Sequence, residues 1–166
     1  MVWLIGIPTI LLAAMLQTAV VSRITLLSGQ VDLLMLVVLC WVVQERVRSV
    51  WEWPLAAGIL LGYISELPVL LTVAMYLLAA GAARLIKNWV WQAPVLLLFT
   101  TVFVSTLLFQ LLSFLYIQLR GAAIDPLQAF NQVTLPSVLL NLLLALPVYA
   151  VISETAHWVI RAPFEE

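Results

Sequence analysis

No charged side chain occurs between Lys87 and Arg120, and this interval constrains what the chain can fold into more than any other feature. It is longer than the roughly 20 apolar residues that a helix needs to cross the hydrocarbon core of a membrane. The rest of the sequence is similar, since 65% of its 166 residues are apolar, 9% are charged and its mean hydropathy is +1.17. Soluble domains carry about 25% charged residues. The sequence therefore excludes a soluble globular domain and predicts an all-α polytopic membrane protein.

The apolar runs predict a single integral membrane domain, residues 1–166, with about six transmembrane helices. Their approximate ranges are 2–22, 31–46, 54–65, 69–83, 93–119 and 135–152. Residues 54–83 leave two alternatives open, two short spans or one kinked span, because Glu66 and Pro68 interrupt the run. Proline disfavours a continuous helix, and a carboxylate costs less at a turn than in the middle of a span, so we favour two short helices.

The distribution of cations supports six spans with both termini on the same side. Five of the seven cations then share one side, which the positive-inside rule identifies as cytoplasmic. These five are Arg46, Arg48, Arg84, Lys87 and Arg161. The other two, Arg23 and Arg120, lie on the exterior side.

Residues that commonly carry catalysis are scarce. The chain has one cysteine, Cys40, inside an apolar run, and one histidine, His157, near its end. Metal sites need several His, Cys or carboxylate ligands together, and serine hydrolases of the nucleophile-elbow type need Gly-x-Ser-x-Gly; neither pattern occurs. A net charge of -1 offers no basic surface for nucleic acid. We therefore expect no enzymatic activity, no cofactor, no metal and no nucleic-acid partner.

A few polar and small residues inside the predicted spans are candidates for structural or partner contacts. Gly58, Gly62 and Glu66 recur every four residues, which places them on one helical face where another helix can approach closely. Glu66 either caps a helix or pairs with an arginine, or else it binds a partner or a proton. Asn141 follows Pro136 in the sixth span, and a buried amide needs hydrogen-bond partners, either another helix or a ligand.

Two further patterns concern polar residues in the first and fifth spans. Gln17 is the one strongly polar side chain of the first span, and we expect it to face another helix. Thr106, Gln110 and Ser113 share one face of the fifth span. That face is either a helix–helix contact or the wall of a cavity.

Three ordered motifs together resemble MreD, the rod shape-determining membrane protein family of bacteria. Gln30-Val-Asp32-Leu-Leu opens the second span, where that family usually has Arg-Pro-Asp-Leu-Leu. The Gly58, Gly62 and Glu66 series stands where the family has a Gly-x-x-x-Gly helix ending in Asp. Leu135-Pro136-Ser-Val-Leu-Leu-Asn141 matches a family pattern of Leu-Pro, a short apolar stretch and Asn. The resemblance covers nearly the whole chain, with Glu66 and Gln30-Val31 as departures.

The resemblance implies a non-catalytic scaffold of the cell-wall elongation complex in the bacterial cytoplasmic membrane. Such a scaffold binds the single-span protein MreC. It is also linked to the actin-like MreB filament and to the peptidoglycan synthase, RodA with a class B penicillin-binding protein. MreD is similar in fold to the six-helix substrate-binding subunits of energy-coupling-factor vitamin transporters. A vitamin-binding transporter subunit is therefore the alternative function.

The predicted binding mode is close packing of helices. We expect the face that carries Gly58 and Gly62 to form a groove for a partner's transmembrane helix. Van der Waals packing and interhelical hydrogen bonds would supply the affinity, because burying apolar surface gains little inside lipid.

The topology can be tested with reporters fused to the two ends of the chain. Reporters that are active only in the cytoplasm should work at both termini, because six spans return the chain to its starting side. As a control, the same reporter inserted at Gly121, in the predicted exterior loop, should be inactive. A reporter that works only outside the cytoplasm should be active at that position. An exterior carboxyl terminus combined with a cytoplasmic amino terminus would contradict the six-span arrangement.

Overall fold

The computed structural model describes residues 2–19, 29–43, 51–65, 67–89, 94–122 and 124–159. All regular secondary structure in these ranges is helical, which confirms the predicted all-α class. The elements are α1 (Val2–Ala19), α2 (Leu33–Val43), α3 (Glu52–Ile64), α4 (Val69–Trp89), α5 (Pro94–Leu119), α6 (Pro126–Ala129), a π-helical turn (Phe130–Thr134) and α7 (Leu135–Val159). The predictions for Arg23, Arg46, Arg48, Glu66 and Arg161 concern residues outside the described ranges.

Within the described ranges, three helices are long and apolar enough to cross a membrane. They lie at Val69–Asn88, Pro94–Leu119 and Pro126–Glu154, the last including α6, the π-helical turn and most of α7. Three shorter apolar helical stretches lie at Pro8–Ala19, Leu33–Val43 and Glu52–Ile64. Helices therefore occur at each predicted span position, and three of them have the length and composition to cross a membrane.

The shortest of the three apolar stretches, α2, is the centre of the fold. Its 11 residues extend only about 16 Å, roughly half the thickness of a hydrocarbon core. Every residue from Leu34 to Val43 is buried, and α2 contacts α1, α3, α4, α5 and α7. A helix that is apolar on all sides belongs in an interior. The surrounding helices therefore shield α2 from lipid, so its length does not have to match the thickness of the hydrocarbon core.

Helices α3 and α4 form an antiparallel hairpin at the position where the sequence left one kinked span or two helices open. The break lies between Ile64 and Val69. A Cβ atom added at Gly58 would lie 2.8 Å from the Val73 Cα atom, and one added at Gly62 would lie 2.7 Å from the Val69 Cα atom. Real Cβ atoms do not approach backbone so closely, so the two glycines permit the close contact of α3 with α4.

This packing corrects one expectation about the glycine face. Gly58 and Gly62 were predicted to line a groove that receives a helix of another protein. In the structure, α4 of the same chain occupies that face, since both glycines are buried against its backbone. The glycines are four residues apart on α3, and α4 is the next helix along the chain, so the nearest available helix fills the groove.

The connection after α5 reverses the chain and leads into α6 and the π-helical turn. Gly121 has a φ of 88°, a left-handed conformation that favours glycine. The side chain of Asp125 accepts a hydrogen bond from the Leu127 N–H at 3.1 Å and so caps the amino end of α6. Helix α6 and the π-helical turn then pass beside α5 before α7 begins, which leaves a cleft between them.

The glycine contacts predict opposite effects for the same substitution at two positions. Gly58→Ala should lower the free energy of unfolding by about 1–3 kcal/mol, because the new methyl group overpacks against Val73. Gly81→Ala is the matched control in α4, where an added Cβ meets only the Trp51 side chain at 3.9 Å. It should stabilise the protein by about 0.5–1 kcal/mol through helix propensity. Thermal unfolding of both variants in detergent measures the difference, and equal effects at the two positions would contradict this packing.

Candidate functional site

The amino end of α2 lies inside the helical bundle, where its first N–H groups cannot all reach water. The first four N–H groups of any helix have no partner within that helix. Asp32 is the N-cap residue here, and its Oδ1 atom accepts a hydrogen bond from the Met35 N–H at 2.9 Å. The Leu36 N–H donates to the Asp32 carbonyl oxygen at 3.1 Å and so starts the regular helix. Asp32 thus satisfies one free donor and fixes where the helix begins.

Side chains from two other helices satisfy two more N–H groups of this segment. The Oε1 atom of Gln17, on α1, accepts a hydrogen bond from the Leu34 N–H at 2.9 Å. The Oδ1 atom of Asn141, on α7, accepts one from the Asp32 N–H at 3.0 Å. The expectation that Gln17 faces another helix is confirmed. One helix end therefore joins α1, α2 and α7 through hydrogen bonds.

The extended residues before α2 lie against the first turn of α7. A Cβ atom added at Gly29 would lie 2.6 Å from the Cβ atom of Pro136 and 3.0 Å from its carbonyl carbon, so only glycine fits. The Gln30 N–H donates to the Ser137 Oγ atom at 2.9 Å, and this hydroxyl donates to the Val133 carbonyl oxygen at 2.6 Å. Non-helical backbone is tolerated at membrane depth only where protein satisfies it, and α7 does so here.

The carboxylate of Asp32 also binds the fourth helix. The Tyr76 hydroxyl lies 2.9 Å from Oδ1 and 3.1 Å from Oδ2, and its ring meets Phe109 edge to face at a centroid distance of 6.2 Å. Tyr76 is 1% exposed. The amide of Gln17 lies beside the same carboxylate. These neutral donors and the positive amino end of α2 give the buried carboxyl group its polar partners.

Asn141 extends the network to the fifth helix. Its Nδ2 atom donates to the Thr106 Oγ1 atom at 3.3 Å, and both side chains are buried. Asn141 is thus an interhelical contact, and four helices besides α2 contribute to one network. We call these residues, namely Gln17, Asp32, Tyr76, Thr106 and Asn141, the Asp32 network.

A cavity of about 620 Å³ lies directly against the Asp32 network. Its volume is in the range of pockets that hold small ligands. The predicted polar face of α5 forms one wall, with Thr106 both in an interhelical hydrogen bond and at the cavity surface. This face of α5 therefore forms both a helix–helix contact and the wall of a cavity. The polar side chains of the lining are Gln17, Gln30, Asp32, Ser65, Thr106, Gln110, Ser113, Tyr116, Arg120 and Asn141.

Of the five residues singled out from the sequence, two belong to this site. Asn141 is in the Asp32 network, and Pro136 is buried beside Gly29, which precedes the N-cap. Gly58 and Gly62 lie instead in the contact of α3 with α4. Glu66 lies outside the described residues. The structure therefore brings together residues from the first and third motifs and separates them from the glycine face.

Two central residues were not selected as site residues from the sequence. Asp32 stands directly before an apolar run, which is the ordinary signal of an N-cap and could have identified it. Tyr76 gave no signal, because one tyrosine in an apolar helix does not indicate which residue it contacts. Within the described residues, no group of three or more His, Cys, Asp or Glu side chains is arranged to hold a metal.

Comparison with protein-family models, with characterised proteins and with solved structures found no match for this chain.

The Asp32 network predicts that the hydrogen bond accepted by the Asn141 Oδ1 atom contributes more to stability than the one donated by its Nδ2 atom. Asn141→Leu should lower the free energy of unfolding by about 1–3 kcal/mol, because it leaves the part-buried Asp32 N–H without an acceptor and also removes the hydrogen bond to Thr106. Thr106→Val is the control, since it removes only the longer 3.3 Å hydrogen bond and should lower the free energy of unfolding by less. Chemical unfolding in detergent measures both. A Thr106 effect larger than that of Asn141 would contradict this assignment.

Proposed function

We propose that this chain is a non-catalytic membrane scaffold of the MreD type, which binds MreC in the bacterial cell-wall elongation complex. The observation that carries the proposal is the hydrogen bond between Asp32 and Asn141. These residues belong to two of the motifs on which the resemblance rests, and 109 positions separate them along the chain. Motifs that meet in one buried network have a shared structural purpose, which is what a family of scaffolds would preserve.

In this proposal the chain crosses the bacterial cytoplasmic membrane six times and has both termini in the cytoplasm. The arrangement would resemble the substrate-binding subunits of energy-coupling-factor transporters. The central position of α2 supports it, because a half-length helix can take part in a membrane fold only where other helices cover it.

The scaffold would act by holding a fixed surface for its partners. Hydrogen bonds from three helices to the amino end of α2 resist relative movement of α1, α2, α4 and α7. MreC would bind a lipid-facing surface other than the glycine face, since α4 covers that face. The MreB filament and the synthase of RodA with a class B penicillin-binding protein would then be coupled through MreC.

A second candidate function is the substrate-binding subunit of a vitamin transporter, and one observation favours it. The 620 Å³ cavity has several polar side chains that converge on one space, as a ligand site requires. Equilibrium dialysis of the purified chain against water-soluble vitamins tests this function. Saturable binding of one vitamin would favour the transporter over the scaffold.

The scaffold proposal predicts capture of MreC in a co-expression experiment. An affinity-tagged full-length chain should retain full-length MreC through detergent extraction, and Asn141→Leu should reduce the retained amount several-fold because the binding surface loses its fixed geometry. Gly81→Ala is the control, which should retain MreC fully since its site tolerates a methyl group.

Quantitative blotting of the captured MreC gives the measurement. The amount of each tagged variant in the membrane is measured in parallel, so that loss of capture is separated from loss of the protein. Absence of MreC from the wild-type capture would contradict the proposed function.

A further inference from the structure

The cavity beside the Asp32 network adjoins the apolar cleft between α5 and the α6–α7 connection. The cleft has a volume of about 660 Å³, close to that of the cavity. Four residues line both spaces, and they mark the junction: Gln110, Ser113, Ile117 and Val133. A cavity with many polar side chains beside a mainly apolar cleft matches the two parts of an amphiphile.

The cleft suits a flexible chain better than a helix. It is lined mainly by apolar side chains, among them Leu111, Phe114 and Phe130. The cleft extends along α5 only from Leu107 to Ile117, about 15 Å or three turns of helix. A spanning helix has at least five turns. An acyl chain is slender enough to follow the cleft to its junction with the cavity.

The cavity is lined by one carboxyl group, that of Asp32, and one guanidinium group, that of Arg120. Asp32 is surrounded by neutral donors, so its carboxylate has no cationic partner within the Asp32 network. Arg120 is exposed, lies 5.7 Å from the centroid of the Tyr116 ring and lines the same cavity. A headgroup with an ammonium and a phosphate matches this pair, because the ammonium can donate hydrogen bonds to Asp32 and the phosphate can accept them from Arg120.

We propose that the cavity and the cleft together bind a membrane phospholipid with a primary-amine headgroup. The ammonium group binds Asp32, the phosphate binds Arg120, and an acyl chain leaves through the junction at Ser113 into the cleft. The adjoining apolar cleft distinguishes this ligand from a water-soluble vitamin, which would leave the cleft empty. This inference does not rest on the proposed scaffold function, since it depends only on the two spaces and their linings.

Lipid binding is measured with the full-length chain in mixed micelles that contain phosphatidylethanolamine, phosphatidylcholine or phosphatidylglycerol. Native mass spectrometry counts the lipid retained. We expect phosphatidylethanolamine to bind best, because the choline group has no N–H to donate and the glycerol group has no positive charge. Equal retention of the three lipids, or saturable binding of a soluble vitamin in their place, would overturn the proposal.

Three variants test the residues that carry it. Asp32→Asn keeps an N-cap acceptor but loses the charge and one acceptor oxygen, and should weaken phosphatidylethanolamine binding by the folded protein about tenfold. Arg120→Gln should weaken it by a similar factor, since the phosphate loses its charged donor. Undiminished binding in both variants would overturn the proposed headgroup site.

The junction is tested separately. Ser113→Phe should block the passage and abolish retention of long-chain phosphatidylethanolamine. Thr100→Phe is the matched control on the same helix, outside both linings, and should retain the lipid. A photoreactive phenylalanine analogue at Phe114 should form adducts with lipid in membranes. Adducts with a protein alone would assign the cleft to a partner helix instead and overturn the lipid site.

Discussion

The fold depends on satisfying the N–H groups at the start of a buried helix. Helix α2 begins inside the bundle, and hydrogen bonds from Gln17, Asp32 and Asn141 take the donors that water would otherwise satisfy. An unpaired N–H group in an apolar interior costs about 1–3 kcal/mol, so the positions of α1 and α7 are tied to this helix end. Apolar packing alone is a weak guide inside lipid, because lipid chains and leucine side chains are equally apolar.

The same constraint creates the polar cavity. A helix that starts halfway through the bundle leaves space above its first turn, and the capping side chains line that space. The side chain of Asp32 therefore has two consequences: it caps the start of α2, and it places a carboxyl group against a cavity. The contact of Gly29 with Pro136 keeps the preceding backbone against α7, so the cavity does not fill with that segment.

Much of the fold followed from patterns within single segments. The helical class, the approximate positions of the helices and the break between Ile64 and Val69 were predictable, because runs of apolar residues and a proline act locally. The polar face of α5 was also predictable, but not the partner of each residue on it. The role of Gly58 and Gly62 was only half predictable: their spacing indicates close helix packing, but not that α4 of the same chain is the packed helix.

The sequence by itself determined that this chain belongs in a membrane and that its helices pack through small and polar residues, because hydropathy and spacing are properties of the chain alone. Only the tertiary structure decided that Asp32, Tyr76 and Asn141 meet, since these residues lie on three separate helices. It also decided that a cavity and a cleft share one junction. Such features depend on how helices distant in sequence are placed together, and that placement follows from the joint satisfaction of one helix end.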